Sequence, residues 1–451
     1  MVLSALLLAG AVRAAETSPI KSARQLKAGA AKHVVTPPLS VPYLTSSGAG
    51  TSAPFTSVHD DLHARALVLD DGAQAVAVLA VDSIGYDNAI LGAGRNFTAE
   101  LRQRIAAATG LKPEAVMLAA THTHSAPETI GLTPFRETPG AAEWLEQHLE
   151  ALAATVIEAW KARVPARARF GTTKVSGVGR NRRIPMKDGK MNRSGPVPAE
   201  SDMAAPQVID EELTVLYLET EGRQPLAVLL NYAAHPVIAM LLPPVSADFP
   251  GAAAVAVEKA LAGAVCLFTT GGAGNINSMK VSTNYEDVEA AGQKLSLAAR
   301  AEIERLNAGE PLARAAIRTR SQVVTLEARP CPSLAEAQQL AAAKPDAANR
   351  RQLRLAQKLA EGPIRAEIQV MELGPVKWVS LPAEPFVEIG LGLKRAGASF
   401  LVGYANGYVG YLPTRAAYGE GGYETSPGVW SRVAPGSAER VEEAARALLQ
   451  P

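Results

Sequence analysis

Short apolar runs alternate with amphipathic stretches along most of the chain. Residues 64–83, "ARALVLDDGAQAVAVLAVDS", form two apolar runs on either side of Asp71-Gly72, which is typical of a β-hairpin turn. Further apolar runs that predict strands lie within 115–120, 212–236, 264–278 and 398–415. Amphipathic stretches that predict helices lie at about 88–108, 141–163 and 284–307.

The alternation of strands and helices predicts an α/β fold with a mixed central β-sheet flanked by helices. Residues 333–362 differ in kind, since they are rich in Ala, Gln, Leu and Lys and contain one internal proline. They predict a helical hairpin inserted between strands. With no internal repeat and no low-complexity linker, residues 25–451 are predicted to form a single domain.

Four of the predicted strands end in polar loops that carry histidine, glycine or tyrosine. In open α/β sheets ligands bind at the carboxyl ends of the strands. Distant segments of the chain are therefore expected to converge on one crevice.

The first of these loops is "AATHTHSAPETIG", residues 119–131, with His122 and His124 two positions apart. If the chain stays extended, both rings project to the same side. The pair then suits a divalent metal, or one metal ligand beside one group that bonds the reacting atoms. The alternative is two loop histidines held by neighbouring carbonyls. Hydroxyls at Thr121, Thr123 and Ser125 are candidates to hold the other ring nitrogens.

His235 ends a second apolar run and precedes a proline. A lone histidine at a strand end is more often structural than a ligand, but here it is considered together with His122 and His124. The remaining histidines, His33, His59, His63 and His148, are expected to be structural or exposed.

Two further segments contain candidate functional residues. The stretch "GGAGNINS", 271–278, lacks the lysine and the spacing of nucleotide-binding loops, so it predicts a close backbone approach to a substrate carbonyl, or an ordinary tight turn. The cluster of Arg180, Arg182 and Arg183 is interpreted as a solvated surface run, or as the source of an arginine directed at a substrate oxygen.

Composition excludes several classes of protein. Over 451 residues, 47% are hydrophobic, 20% are charged and the net charge is +1, which indicates a globular protein with no nucleic-acid partner. Cys266 and Cys331 form no disulfide framework and are interpreted as small buried side chains. Residues 1–15 predict a signal peptide and hence an exported protein, periplasmic or secreted. No other stretch is long and apolar enough for an integral membrane span. The oligomeric state does not follow from the sequence.

Together these segments resemble the neutral/alkaline ceramidase family, zinc-dependent amidases that hydrolyse the N-acyl linkage of sphingolipids. "THTHSAP" resembles its THTHSGPGG stretch, and "YANGYVGYLPTRAAYGEGGYE" is similar to its NxYxxYxTTxEEYxxQxYEGA block. Weaker matches lie between them in the same order, at "NRR", "YAAHP", "VSADFPG", "GAGNINS" and "PAEPF". The resemblance runs from about residue 26 to residue 425 and implies only the catalytic N-terminal domain of that family.

The resemblance implies four zinc ligands, which are His122, His235, Glu384 and Tyr411. Tyr411 is preferred over Tyr408 because it matches the second tyrosine of YxxY. Both imidazole and carboxylate are ordinary zinc donors, and an open position can hold water.

The same resemblance implies that His124 faces the scissile carbonyl and that Arg182 matches an active-site arginine. His124 is also the first candidate for the general acid that protonates the leaving amine, with Asp248 the second. Asn277 stands where the family has a serine, and loop amides at 272–278 are expected to stabilise the oxyanion.

The sequence thus predicts a zinc-dependent hydrolase that cleaves an N-acyl (amide) linkage of a small-molecule or lipid-like substrate by attack of a metal-bound water. Two alternatives remain open. One is a catalytically inactive, exported binding protein that keeps the fold. The other is a different HxH metallohydrolase of the amidohydrolase type.

Overall fold

The structure is a computed structural model that describes residues 25–44, 52–193, 196–313 and 315–450. The predicted signal peptide, 1–15, lies outside the described residues. Within those ranges the strands β1 to β20 are Lys27–Val34, Pro42–Leu44, Ser52–Pro54, His63–Asp70, Ala75–Val81, Val116–Ala120, Val164–Lys174, Gly179–Asn181, Arg183–Pro185, Met191–Arg193, Glu212–Thr220, Pro225–Tyr232, Val265–Thr270, Ile276–Ser278, Ile317–Leu326, Ile364–Leu373, Val376–Ser380, Glu384–Pro385, Phe400–Val402 and Tyr411–Leu412. The helices α1 to α9 are Phe97–Thr109, Ala141–Lys161, Asp248–Ala260, Tyr285–Asn307, Leu334–Ala343, Ala347–Ala360, Val387–Arg395, Arg415–Glu420 and Ser437–Leu449.

The largest sheet is mixed, as predicted, with the strand order β13-β12-β11-β7-β1-β4-β5-β6. Its outermost pairs, β12 with β13 and β5 with β6, are parallel, and the inner pairs are antiparallel. Only two residue pairs join β1 to β7 in the middle of the sheet. The sheet therefore divides into two halves, β1-β4-β5-β6 and β7-β11-β12-β13.

The two halves pack face to face, with helices on their outer faces. Leu67 and Leu69 of β4 share one core with Leu216 and Leu229 of the other half. The alternate residues of β4 face outward into a core that α1 and α2 complete, and α3 and α4 cover the second half in the same way. Because both sides of β4 are buried, residues 66–69 are apolar without alternation. This packing brings the ends of β6 and β13 together, since the Thr270 hydroxyl donates to the Thr121 carbonyl at 2.7 Å.

A four-stranded sheet, β15-β16-β17-β19, forms the remaining large element. The predicted helical insertion is confirmed as α5 and α6, between β15 and β16. Ser333 and Glu336 form a capping box at the start of α5. Lys358 of α6 pairs with Asp87, a contact that ties the insertion to the main fold.

The start of α1 differs from the predicted position near residue 88. The helix begins at Phe97, where the Asn96 side chain accepts a hydrogen bond from the Ala99 amide at 2.9 Å. Gly92 and Gly94 precede it with φ values of 106° and 75°, which helical residues do not adopt. No helix in the described part of the chain is long and apolar enough to cross a membrane.

Candidate metal centre

The strand ends converge as the sequence predicts. His122 follows β6 and has a φ of 70°. Its amide donates a hydrogen bond to the Ser83 carbonyl at 2.8 Å. His235 follows β12, and its amide donates to the Ile276 carbonyl at 2.9 Å. Glu384 begins β18 and pairs with Tyr411 of β20. Three segments separated by more than a hundred residues each thus present their side chains to one point.

The side chains of this cluster are close enough to share one ion. One oxygen of Glu384, Oε2, lies 3.0 Å from Nε2 of His235 and 3.4 Å from Nε2 of His122. The Nε2 atoms of His122 and His124 are 3.3 Å apart. Among the described residues these three histidines form the group that could hold a metal ion, with ligand atoms all within 4.8 Å of one another.

The backbone fixes which nitrogen of each ring carries the proton. Nδ1 of His122 lies 2.6 Å from the Ile84 carbonyl, and Nδ1 of His235 lies 2.5 Å from the Ala273 carbonyl. A carbonyl oxygen can only accept, so each Nδ1 must be the donor, and in the neutral ring Nε2 then carries a lone pair. Two of the hydroxyls expected to hold the rings bond elsewhere, with Thr123 donating to the Ser246 carbonyl and Ser125 to the Ala239 carbonyl. The buried hydroxyl of Thr121 has no hydrogen-bond partner among the described residues.

Burial keeps the ring of His235 neutral. His122 and His235 are each 1% exposed and Glu384 is 3% exposed. Burial lowers the pKa of His235 to about 4, so its ring is uncharged at neutral pH. Burial alone would raise the pKa of Glu384, but His122 and His235 together hold it well below its usual range. With both Nδ1 atoms donating to the backbone, the two Nε2 atoms face one carboxylate oxygen, an arrangement that a bound cation would stabilise.

His124 differs from the other two histidines in being partly exposed. Its pKa lies well below the usual range, first because of burial of the ring and then because of the neighbouring His122 and His235. Its backbone amide donates to the Pro236 carbonyl at 3.3 Å. It is the member of the cluster that a molecule entering from solvent meets first.

Arg182 is mostly buried, with 11% of its side chain exposed, contrary to the solvated surface run that the basic cluster suggested. Its guanidinium donates to the Tyr411 hydroxyl at 3.0 Å, to Oδ1 of Asn277 at 3.0 Å and to the Gly274 carbonyl at 2.6 Å. The fourth contact is an ion pair with Glu424 at 2.8 Å. The structure thus brings Arg182, Asn277 and Tyr411 together beside the histidines.

Tyr411 and Tyr408 approach the cluster from different sides. The rings of Tyr411 and His235 lie 6.5 Å apart at an interplanar angle of 22°. The hydroxyl of Tyr408 donates to Oε1 of Glu384 at 2.5 Å, the oxygen that does not face the histidines. Tyr408, set aside in the sequence comparison, therefore orients the carboxylate directly.

The sequence analysis missed Glu424 and Tyr404. Glu424 is 3% exposed and pairs with both Arg182 and Arg183. The ring of Tyr404 stacks on His122 with centroids 3.9 Å apart. Tyr404 opens the tyrosine-rich stretch that the resemblance rests on, which is the signal that could have drawn attention to it. Glu424 closes the same stretch, so the same signal could have drawn attention to it.

Asp248 lies at the start of α3 with its carboxylate turned to backbone amides. It accepts hydrogen bonds from the amides of Ala239 at 2.8 Å and Phe249 at 2.6 Å. Burial raises its pKa to about 7. Glu128 is likewise used within its own loop, where it accepts from the amides of Ile130, Leu132 and Thr133.

The glycine-rich loop makes a close backbone approach, but to another protein segment. A Cβ on Gly274 would lie 2.5 Å from the carbonyl oxygen of Glu384. The Gly274 amide donates to the Pro385 carbonyl at 2.8 Å. The loop is therefore packed against the strand that carries Glu384.

The remaining histidines have contacts of their own. His33 pairs with Glu158 at 2.7 Å, and His59 stacks on Tyr285. His148 is buried and lies 2.7 Å from the Tyr86 hydroxyl. Cys266 is free and buried, whereas Cys331 is free and only partly buried.

Two solved structures resemble the chain in fold. The neutral ceramidase from Pseudomonas aeruginosa matches it with a TM-score of 0.71 at 18% sequence identity, over 94% of this chain and 73% of that one. A ceramidase complexed with C2 matches with a TM-score of 0.70 at 18% identity, over 94% of this chain and 75% of that one. No protein-family model and no curated protein matches the chain. The chain therefore has a ceramidase-like mixed α/β fold.

Proposed function

We propose that the protein is a zinc-dependent hydrolase that cleaves an N-acyl (amide) linkage. The fold is that of two solved ceramidases, and the ceramidase-like motifs of the sequence fall on the residues of the candidate metal centre. In this proposal zinc is held by His122, His235, Glu384 and Tyr411. The substrate is a small-molecule or lipid-like N-acyl compound.

One observation carries the proposal. The Nε2 atoms of His122 and His235 both lie within 3.4 Å of Oε2 of Glu384, while both Nδ1 atoms are committed to backbone carbonyls. In a site that holds no cation, a hydrogen-bond donor would face Oε2 of Glu384. Nitrogen and carboxylate donors are the ligands that zinc takes in catalytic sites, where a further coordination position stays open.

Proton transfer and the positioning of groups in the site are assigned to side chains of the protein. Lewis acidity is what zinc supplies when bound, since it polarises an amide carbonyl and lowers the pKa of water. His124, neutral and partly exposed, takes a proton on its imidazole as water attacks and returns it to the leaving amine. Arg182 fixes the hydroxyl of Tyr411 and the side chain of Asn277. Asp248, whose carboxylate accepts hydrogen bonds from backbone amides, is the second candidate for the general acid that protonates the leaving amine.

The first experiment measures metal and activity in the purified protein. We expect about one equivalent of zinc by mass spectrometry, cleavage of fluorogenic N-acyl amides, loss of cleavage with a chelator and its return with added zinc. Protein that holds zinc but is inert to N-acyl amides of every chain length would instead favour a binding protein with this fold.

Substitutions test how the histidines divide the work. His122→Ala and His235→Ala should each lose the zinc. His124→Ala should keep the zinc while kcat falls by about 10²- to 10⁴-fold, the usual contribution of a general acid or base. His33→Ala, which alters a histidine at the surface, is the matched control and should change neither quantity. Loss of zinc from the His124→Ala variant would contradict this division.

A further inference from the structure

Tyr404 is a buried aromatic residue in direct contact with the metal centre. It is 1% exposed, and its ring lies parallel to that of His122, with centroids 3.9 Å apart and an interplanar angle of 19°. The ring of His235 lies edge-on to it at 6.1 Å. Tyr404 thus covers one face of the cluster.

The backbone holds Tyr404 in this position at a conformational cost. Its φ is 54°, in the left-handed region that bulky side chains rarely adopt, and His122 beneath it has a φ of 70°. The Tyr404 amide donates to the Ala383 carbonyl at 2.9 Å, and its carbonyl accepts from the Ala120 amide at 3.1 Å. These bonds tie Tyr404 to the segments that carry Glu384 and His122. A strained residue persists only where the surrounding structure maintains it, and such residues concentrate at functional sites.

The hydroxyl of Tyr404 is buried and has no hydrogen-bond partner in the described part of the chain. Phenylalanine would supply the same stacking without burying a polar group, so the packing alone does not account for a hydroxyl here. A phenol hydroxyl can donate one hydrogen bond, and that of Tyr404 is left available for one.

We propose that Tyr404 is a further catalytic residue, whose hydroxyl donates a hydrogen bond to the acyl oxygen of the bound substrate while its ring holds the imidazole of His122. The inference rests on the proposed hydrolase function and adds a donor to it. An oxygen that gains negative charge during the attack on the carbonyl strengthens such a bond, which is how preorganised donors lower a barrier. No proton leaves Tyr404 in this role.

The test is Tyr404→Phe, which removes the hydroxyl and keeps the ring. We expect the zinc content to be unchanged and kcat to fall by about 10²- to 10³-fold, as for the loss of one oxyanion donor, with a smaller change in KM. The melting temperature of the free protein should stay level or rise, because an unpartnered buried hydroxyl is removed. Wild-type kcat in this variant would overturn the inference.

Tyr418→Phe is the matched control. The Tyr418 hydroxyl donates to the Val433 carbonyl at 2.9 Å, so its loss should lower the melting temperature and leave kcat unchanged. Tyr404→Leu tests the ring separately. It should weaken zinc binding, because the flat face of His122 loses its support.

A binding measurement separates this inference from the proposed function. Laurate, whose carboxylate presents acyl oxygens, is titrated calorimetrically into zinc-loaded wild type and Tyr404→Phe. At least tenfold weaker binding to the variant supports the Tyr404 donor even if no amide is cleaved, in which case only the hydrolase proposal fails. If amides are cleaved but laurate binding and kcat are equal in both proteins, the hydrolase stands and the Tyr404 donor is wrong. If wild type neither cleaves amides nor binds laurate, both are wrong.

Discussion

Individual histidines in this protein show how burial sets the charge of a side chain. His148 lies between Trp144 and Tyr86, with its ring 4.7 Å from the indole and its Nε2 2.7 Å from the Tyr86 hydroxyl. Burial lowers its pKa to about 3, from an ordinary 6.5. The folded protein therefore binds its proton less readily than the unfolded chain does. This residue lies outside the metal centre, so its effect on stability can be measured separately.

The sign of the pH effect follows from that shift. A histidine with a depressed pKa stabilises the fold fully above pH 6.5, and the contribution is lost as the pH falls towards about 3. Between pH 7 and pH 5 the loss amounts to about 2 kcal/mol. His148→Gln does not titrate, so its unfolding free energy in urea should fall by about 2 kcal/mol less over that interval. Both proteins are kept saturated with zinc, and equal falls would show that His148 is not the group responsible.

Among the secondary-structure elements, the glycine-rich loop and the short strand of Glu384 depend on each other. The loop after β13 lies so close to β18 that a Cβ on Gly274 would overlap the Glu384 carbonyl oxygen. The position of the carboxylate is thus set by a loop more than a hundred residues away in sequence. The sequence indicated a close approach at this loop but not its partner, because the partner is determined by how the two sheets pack.

Gly274→Ala should displace Glu384 from the two histidines. We expect zinc affinity to fall at least tenfold and the unfolding free energy to fall by about 1–3 kcal/mol, the usual cost of overpacking a buried position. The measurements are competition with a chromophoric chelator and urea unfolding. Gly419→Ala is the control, because a Cβ there meets nothing within 4 Å. Equal zinc affinity in the two variants would mean that the Glu384 strand accommodates the methyl group.

For the molecule as a whole, the proposed metal links three packed units. His122 and His235 follow strands of opposite halves of the large sheet, while Glu384 follows β17 of the four-stranded sheet. A cation bound by all three would resist separation of these units. Binding to the folded state alone stabilises a protein in proportion to the logarithm of ligand concentration.

Zinc should therefore stabilise the whole fold. At free zinc about 100-fold above its dissociation constant, the unfolding free energy should exceed that of the chelated protein by about 2.7 kcal/mol. His122→Ala should abolish the difference, whereas His124→Ala should retain it if His124 is not a ligand. Differential scanning calorimetry at fixed zinc activity measures both. If zinc leaves the unfolding free energy of the wild type unchanged, the proposed link between these units is contradicted.

The agreement between sequence and structure is greatest where the signal is periodic. The β4-β5 hairpin, the helix at 141–161 and the inserted pair α5-α6 follow from local hydrophobic pattern, turn residues and caps. The predicted start of α1 was wrong. Two glycines with positive φ and the Asn96 cap make the helix begin at residue 97, despite the apolar pattern before it. The low exposure of Arg182 was missed because its partners, Glu424 and Asn277, are distant in the chain.

By itself the sequence determined the α/β class, the inserted hairpin and the histidine motifs, because each depends on residues within a few turns or strands of one another. Only the tertiary structure decided which side chains meet. The packing of the two sheet halves and the four-stranded sheet sets Oε2 of Glu384 against two imidazoles, turns Tyr408 to the other oxygen and places Tyr404 over His122. Such contacts join segments whose separation in sequence carries no periodic signal, so they follow from packing and not from local pattern.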